Sequence, residues 1–179
     1  MLKISALALV SALSLAACDD DNGTGPDDLR RGQFQGQISG SLDTDIRGDA
    51  ESGFAISQQF HDLILLTDLQ RNIQVGIFDS EDEFAEGRFG IDDENDASSR
   101  IIAWVQDLDT GDFFNSVSGT LDIDDVTSNG IRGSAVFTAE SEDVPGALVT
   151  VDVIFNTDFQ GDISFSRSPS FSVGAKTAP

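Results

Sequence analysis

The chain has 179 residues, with 32 Asp or Glu against 10 Lys or Arg and a formal net charge of −22. So acidic a surface weighs against nucleic acid as a partner, because phosphate binding needs clustered Lys and Arg. A single His and a single Cys leave too few ligands for zinc, and 13 Phe with one Trp and no Tyr describe core residues, not a stacked aromatic platform.

The first residues, MLKISALALVSALSLAA, carry one positive charge at Lys3, followed by an apolar run from Ile4 to Ala17 broken only by serines. Charge, apolar run and small residues in that order describe a secretory signal peptide over 1–17. At 1.5 Å per residue the run reaches about 21 Å, short of the roughly 30 Å hydrocarbon core of a bilayer. A spanning helix is therefore disfavoured.

The run ends in Leu15-Ala16-Ala17-Cys18. This resembles the lipobox of bacterial membrane lipoproteins: an apolar residue, two small ones and a cysteine. The resemblance covers the export segment alone. It implies that Cys18 carries a diacylglyceryl group on sulfur, that cleavage falls between Ala17 and Cys18, and that the new amino group is acylated. Two or three chains hold durably where one holds only marginally, since each buried CH₂ contributes about 0.8 kcal/mol. With Cys18 used as an anchor, no disulfide can form and stability must come from packing. In enteric members of this family an Asp directly after the cysteine is associated with the inner membrane. In other lineages an acidic run there resembles a cell-surface export signal. Asp19, Asp20 and Asp21 fit both; the expected location is the bacterial cell envelope, with outer membrane or cell surface ahead of inner membrane.

Residues 18–31 comprise the lipidated Cys and DDDNGTGPDDLRR, which is acidic and almost free of apolar side chains. Such a composition cannot offset ordering entropy and reads as a flexible tether. Its thirteen residues after Cys18 span at most about 45 Å.

From Gly32 the pattern changes to period two, and residues 32–168 are expected to form one β domain. Phe34, Ile38 and Leu42 share a face, as do Ala50, Ser52, Phe54 and Ile56. The same alternation is read in Phe113, Val117, Leu121 and Ile123, in Ile131, Gly133, Ala135 and Phe137, and in Val149, Val151, Val153 and Phe155. Turn signals at 43–45, 109–112, 127–130 and 144–146 separate the runs. The expected fold is all-β: a single antiparallel sandwich or flattened barrel of about eight to ten strands. FQGQIS at 34–39 returns as FQGDIS at 159–164, which suggests that the first and last strands lie together and close the sheet. Trp104, in RIIAWVQDL, is expected to pack in the core, and 169–179 to form a disordered tail.

Catalytic signals are sparse. His61 is the one histidine, no G-x-S-x-G elbow occurs, and Asp62 would point away from His61 in an extended chain. Carboxylate pairs are too easily met by chance among so many acids to choose one. For a metal, the candidates are oxygen ligands for Ca²⁺ in EDE at 81–83, in DIDD at 122–125 and above all in Asp92, Glu94 and Asp96. That last trio has the one-three-five spacing of an EF-hand loop. Its sixth position is Ala97 where Gly is needed, however, and its twelfth is Ala103 where Glu is needed. Asp107, Asp109 and Asp112 around Gly111 read as a hairpin turn.

The expected function is that of a lipid-anchored, non-enzymatic envelope domain that binds or shields a partner outside the cytoplasm. One alternative is a lipocalin-like carrier of a small apolar ligand, and a further one a hydrolase built on a carboxylate pair. A pocket of several hundred Å³ would favour the carrier. A cleft holding two acids with displaced pKa values would favour the hydrolase.

Overall fold

A computed structural model of the chain describes residues 25–55, 62–80, 84–93 and 100–163. The signal segment, Cys18, His61, Glu81–Glu83, Glu94, Asp96 and the tail from 164 onward lie outside the described residues. Within them the chain forms ten strands: β1 Gln33–Gly40, β2 Thr44–Ala55, β3 Asp62–Asp68, β4 Ile73–Asp79, β5 Gly87–Ile91, β6 Ile101–Asp107, β7 Phe113–Thr127, β8 Gly130–Ser141, β9 Leu148–Asn156 and β10 Asp158–Ile163. One 3-10 turn, Pro26–Asp28, precedes them.

Eight of the strands close on themselves. The order β1-β9-β8-β7-β6-β4-β3-β2 returns to β1 through the antiparallel β1–β2 pairing. The fold is therefore a β-barrel, and closure leaves few unpaired edges. Two strands stand outside the ring. β5 pairs with the upper half of β7, and β10 pairs in parallel with β2.

The parallel pair follows from chain direction. β1 is antiparallel to both β2 and β9, so β9 runs parallel to β2. β10 continues β9 beyond the level where β1 begins. It then takes β1's place against the second half of β2, from Glu51 to Ala55. The first and last strands thus lie in succession along one edge of β2, each paired with β2; the expected closure is corrected, since β1 closes the ring with β2 and β9 and β10 stands outside it. The echoed motif does not share a face. Phe34 and Ile38 point into the barrel, whereas Ile163 belongs to a cluster on the outer wall. A register shift between Phe159 and Gly161, with Gly161 at φ +75°, rotates the end of β10. A positive φ costs glycine nothing and most residues dearly.

An eight-stranded barrel has an interior just wide enough for its own side chains. Here one continuous cluster fills it, built from the inward-facing residues of each strand, with Phe137, Phe155, Ile38 and Leu121 among the most deeply buried. Each such side chain contributes about 1.5–3 kcal/mol relative to exposure. β8 and β9 keep the expected alternation throughout. β7 does not, because a bulge between Ser116 and Ser118 changes its phase. Phe114 and Ser116 point inward below it and Leu121 and Ile123 above it, while Val117 is exposed. The expected common face of Phe113, Val117, Leu121 and Ile123 is corrected accordingly.

β3 is buried on both faces over Leu63–Leu66. Its outer side joins Phe78, Trp104 and Ile163 in a second cluster. Trp104 is buried as expected, but on the outside of the wall, since its neighbours Ala103 and Val105 take the inner face. Its indole lies flat over Gly76 of β4, where a Cβ would overlap the ring, and stacks on Phe113 at 5.5 Å.

The two ends of the barrel differ. At one end four connections, 41–43, 69–72, 108–112 and 142–147, close as short turns. The other end is a taller rim, made of the β7–β8 hairpin tip, the far half of β2, β10 and the entry of the N-terminal segment. The barrel's chemistry divides along the same axis.

Candidate functional site

The N-terminal segment is fixed to the rim. Asn156 Nδ2 donates to the Leu29 carbonyl at 2.9 Å, and Gly32 N–H donates to the Asn156 carbonyl at 2.7 Å. Arg132 pairs with Asp27 at 2.8 Å and Arg31 with Asp158 at 3.3 Å. Residues 25–31 are therefore docked on the barrel, which shortens the flexible tether expected over 18–31. The reason is local. Gly32 (φ +80°) places its carbonyl to accept from Ala50 N–H, filling the step between β1 and β10 on the β2 edge.

Beside this entry the rim opens into an apolar cleft of about 310 Å³. Phe54, Phe84, Val126, Ile131 and Phe159 supply its apolar walls, and Thr127 and Ser128 its polar margin. Phe54 and Phe159 meet edge to face at 5.8 Å and remain 37% and 43% exposed, with Val126 at 37%. Aromatic and aliphatic groups of that size seldom stay in water together without a partner. The cleft lies above the filled interior and not within it. Its floor is rigid: buried Thr157 accepts from Ile131 N–H at 2.7 Å and donates to Ser52 Oγ at 2.8 Å, tying β8, β2 and the β9–β10 link together. At the tip, Thr127 Oγ1 donates to the Gly130 carbonyl and accepts from Asn129 N–H.

Of the described residues lining the cleft, only Asp62 is acidic, and its carboxylate accepts from Phe84 N–H at 3.0 Å. Asp68 and Asp122, whose carboxyl pKa values are displaced, stand elsewhere and are each held by an arginine. For Asp68, at the turn end, burial pushes the carboxyl up. The N–H groups of Arg47, Arg71 and Gln70 and the Arg71 guanidinium outweigh that, and the net direction is down. For Asp122, on the outer face of β7, hydrogen bonds from Arg88 lower it, the shortest at 2.6 Å. These are ion pairs of the scaffold.

The metal candidates are dispersed or outside view. Of Asp92, Glu94 and Asp96, only Asp92 is among the described residues. It follows β5, with its N–H donating to the Ile101 carbonyl and its own carbonyl accepting from Ser116 Oγ. Asp122 of the 122–125 run is engaged by Arg88. Asp107 caps the β6–β7 turn by accepting from Asp109 and Thr110 N–H, as its sequence implied. Among the described residues no group of three or more His, Cys, Asp or Glu is placed to hold a metal.

Sequence reasoning had put Phe54 in the alternating core and Phe159 in the echoed motif, and did not bring them together. Phe54 lies beside the last residue of β2 and Phe159 at the register shift of β10, and the sequence pattern marks neither place. A second depression of about 410 Å³ lies on the outer wall over β1, β2 and β9, but it is open and bounded by Gln35, Gln37, Asp45, Arg47 and Asp152. No helix among the described residues is long and apolar enough to cross a membrane. No protein-family model matches the chain, and no curated protein or solved structure proved similar to it.

Proposed function

We propose that this chain is a lipid-anchored, non-enzymatic protein of the bacterial cell envelope, at the outer membrane or cell surface, whose barrel is a binding domain presented rim-first to the membrane. The observation that carries the reading is the coincidence of two features at one rim. The segment leading from Cys18 enters the barrel there, and so does the apolar cleft. A lone histidine and the absence of a nucleophile elbow in the sequence support a binding role over catalysis. The acidic surface repels anionic headgroups, so acyl chains on Cys18 are what would hold the protein in place.

The cleft also favours a second reading within the same frame, a carrier of a small apolar ligand. Its seat would be the rim and not the barrel interior, which side chains occupy.

Intact-mass measurement of the protein recovered from its own membranes tests the proposal. The expected species begins at Cys18 and carries two or three acyl chains, and Cys18→Ala is expected to be recovered unacylated with the leader retained. A wild-type protein with a bare thiol refutes it.

A further inference from the structure

Resting on the anchored reading, the geometry points to the Phe54–Phe159 cleft as a seat for one hydrocarbon tail of the bilayer lipids beneath the tethered barrel. Reach is the first argument. Gly25, the first described residue, is seven residues from Cys18, so the rim stays within about 25 Å of the anchor even with the chain fully drawn out. The cleft opens on that rim and not on the distant turn end.

Chemistry is the second. Phe54, Val126 and Phe159 are all more than a third exposed and face a common opening. The volume of about 310 Å³ stands at the lower limit of small-ligand sites. It suits a single tail and not a whole lipid. Ser128 at the margin offers a hydroxyl where an ester or headgroup would emerge.

Charge is the third. The rim arginines Arg31, Arg100 and Arg132 are each ion-paired, with Asp158, Asp79 and Asp27. The turn end carries Asp43, Asp107, Asp109, Asp112, Glu142 and Asp143. Turning the rim toward a lipid surface keeps these turn acids away from it, and three of the rim's own acids, Asp27, Asp79 and Asp158, are the ion-paired ones.

The test uses the full lipidated chain in phosphatidylcholine vesicles whose acyl chains carry bromine, a contact quencher of indole fluorescence. A reporter is placed in the cleft by Phe159→Trp and, as a control, at the turn end by Leu69→Trp, where the side chain is 70% exposed. Trp104 contributes equally to both. The added fluorescence of F159W is expected to fall at least two-fold and that of L69W to stay unchanged. Adding Val126→Asp, at an exposed position, is expected to abolish the quenching of F159W. Equal response of the two reporters overturns the seat, including the case in which a protein segment occupies it. The mass of the same sample separates the two proposals. Acylated Cys18 with an unquenched cleft leaves the anchor standing and removes the seat. A bare Cys18 removes the anchor, and the seat is then read with brominated monoacylglycerol in solution, whose failure to quench F159W removes it too.

Discussion

Asp68 is 1% exposed at the end of β3, where an unpartnered carboxylate would be expensive. It is held by Arg47, Gln70 and Arg71 N–H groups at 2.9–3.1 Å and by the Arg71 guanidinium at 3.1 Å. It thus fastens the β3–β4 turn to β2. Its pKa in the folded chain lies below the ordinary 3.8. The stabilisation it contributes is therefore fully present above that value and is lost as pH falls from 3.8 through the folded pKa. Asp68→Asn keeps the shape and loses the charge. It is expected to destabilise the protein by about 1–3 kcal/mol at neutral pH and to flatten the acid limb of stability. Urea unfolding across the acid range checks this; parallel pH profiles for the two proteins would contradict it. Nothing in DLQRN marks Asp68 as special, because in a chain with 32 acids the partner, not the residue type, makes the difference. The same holds for Phe159, whose exposure depends on a bulge that no local pattern announces. Cys18 lies outside the described residues, and the role proposed for it rests on residue type and neighbours alone.

The strands divide by how they are packed. β8 and β9 face the core on one side and solvent on the other, so period two is written directly in Ile131–Phe137 and Val149–Phe155. β3, β4 and β6 are covered on much of both faces, so LILL, IQVGIF and IIAWV are apolar runs without alternation, and their facing is not legible locally. β7 is regular on paper and bulged in the fold. The bulge has a purpose. β6 pairs with β7 only over Trp104–Gln106, and β5 occupies the edge of β7 above that point. Ser116 splices the junction, accepting from Ala103 N–H at 3.1 Å and donating to the Asp92 carbonyl at 2.7 Å. Ser116→Ala leaves both backbone groups unsatisfied beneath buried side chains. The expected cost is about 1–3 kcal/mol, with hydrogen exchange accelerated at Ala103 and along β5 before the rest of the barrel. Unchanged protection there would show that the hydroxyl does not hold the splice.

At the scale of the molecule, an all-β fold of about eight to ten strands was legible, and the choice between sandwich and barrel was not. Closure depends on β1 meeting both β2 and β9, and Gly36 pairs with Ile46, 10 residues on, and with Val153, 117 residues on. A turn signal announces the first pairing, but local pattern carries no information over the second separation. The polarity of the barrel, with short acidic turns at one end and an apolar rim with the N-terminal entry at the other, emerges only once the ring is closed. Together with the proposed anchor it predicts an orientation: rim toward the bilayer, turns away. Because the natural chain has one cysteine and that one is acylated in this account, a new cysteine can be labelled alone. Energy transfer from a dye at Asn129→Cys on the rim, or at Leu69→Cys on the turn end, to acceptors in the bilayer surface reads the orientation directly. The rim dye is expected to lie nearer the membrane by roughly 20 Å, the height of nine tilted residues of strand. Equal distances, or a turn end nearer the lipid, would contradict it.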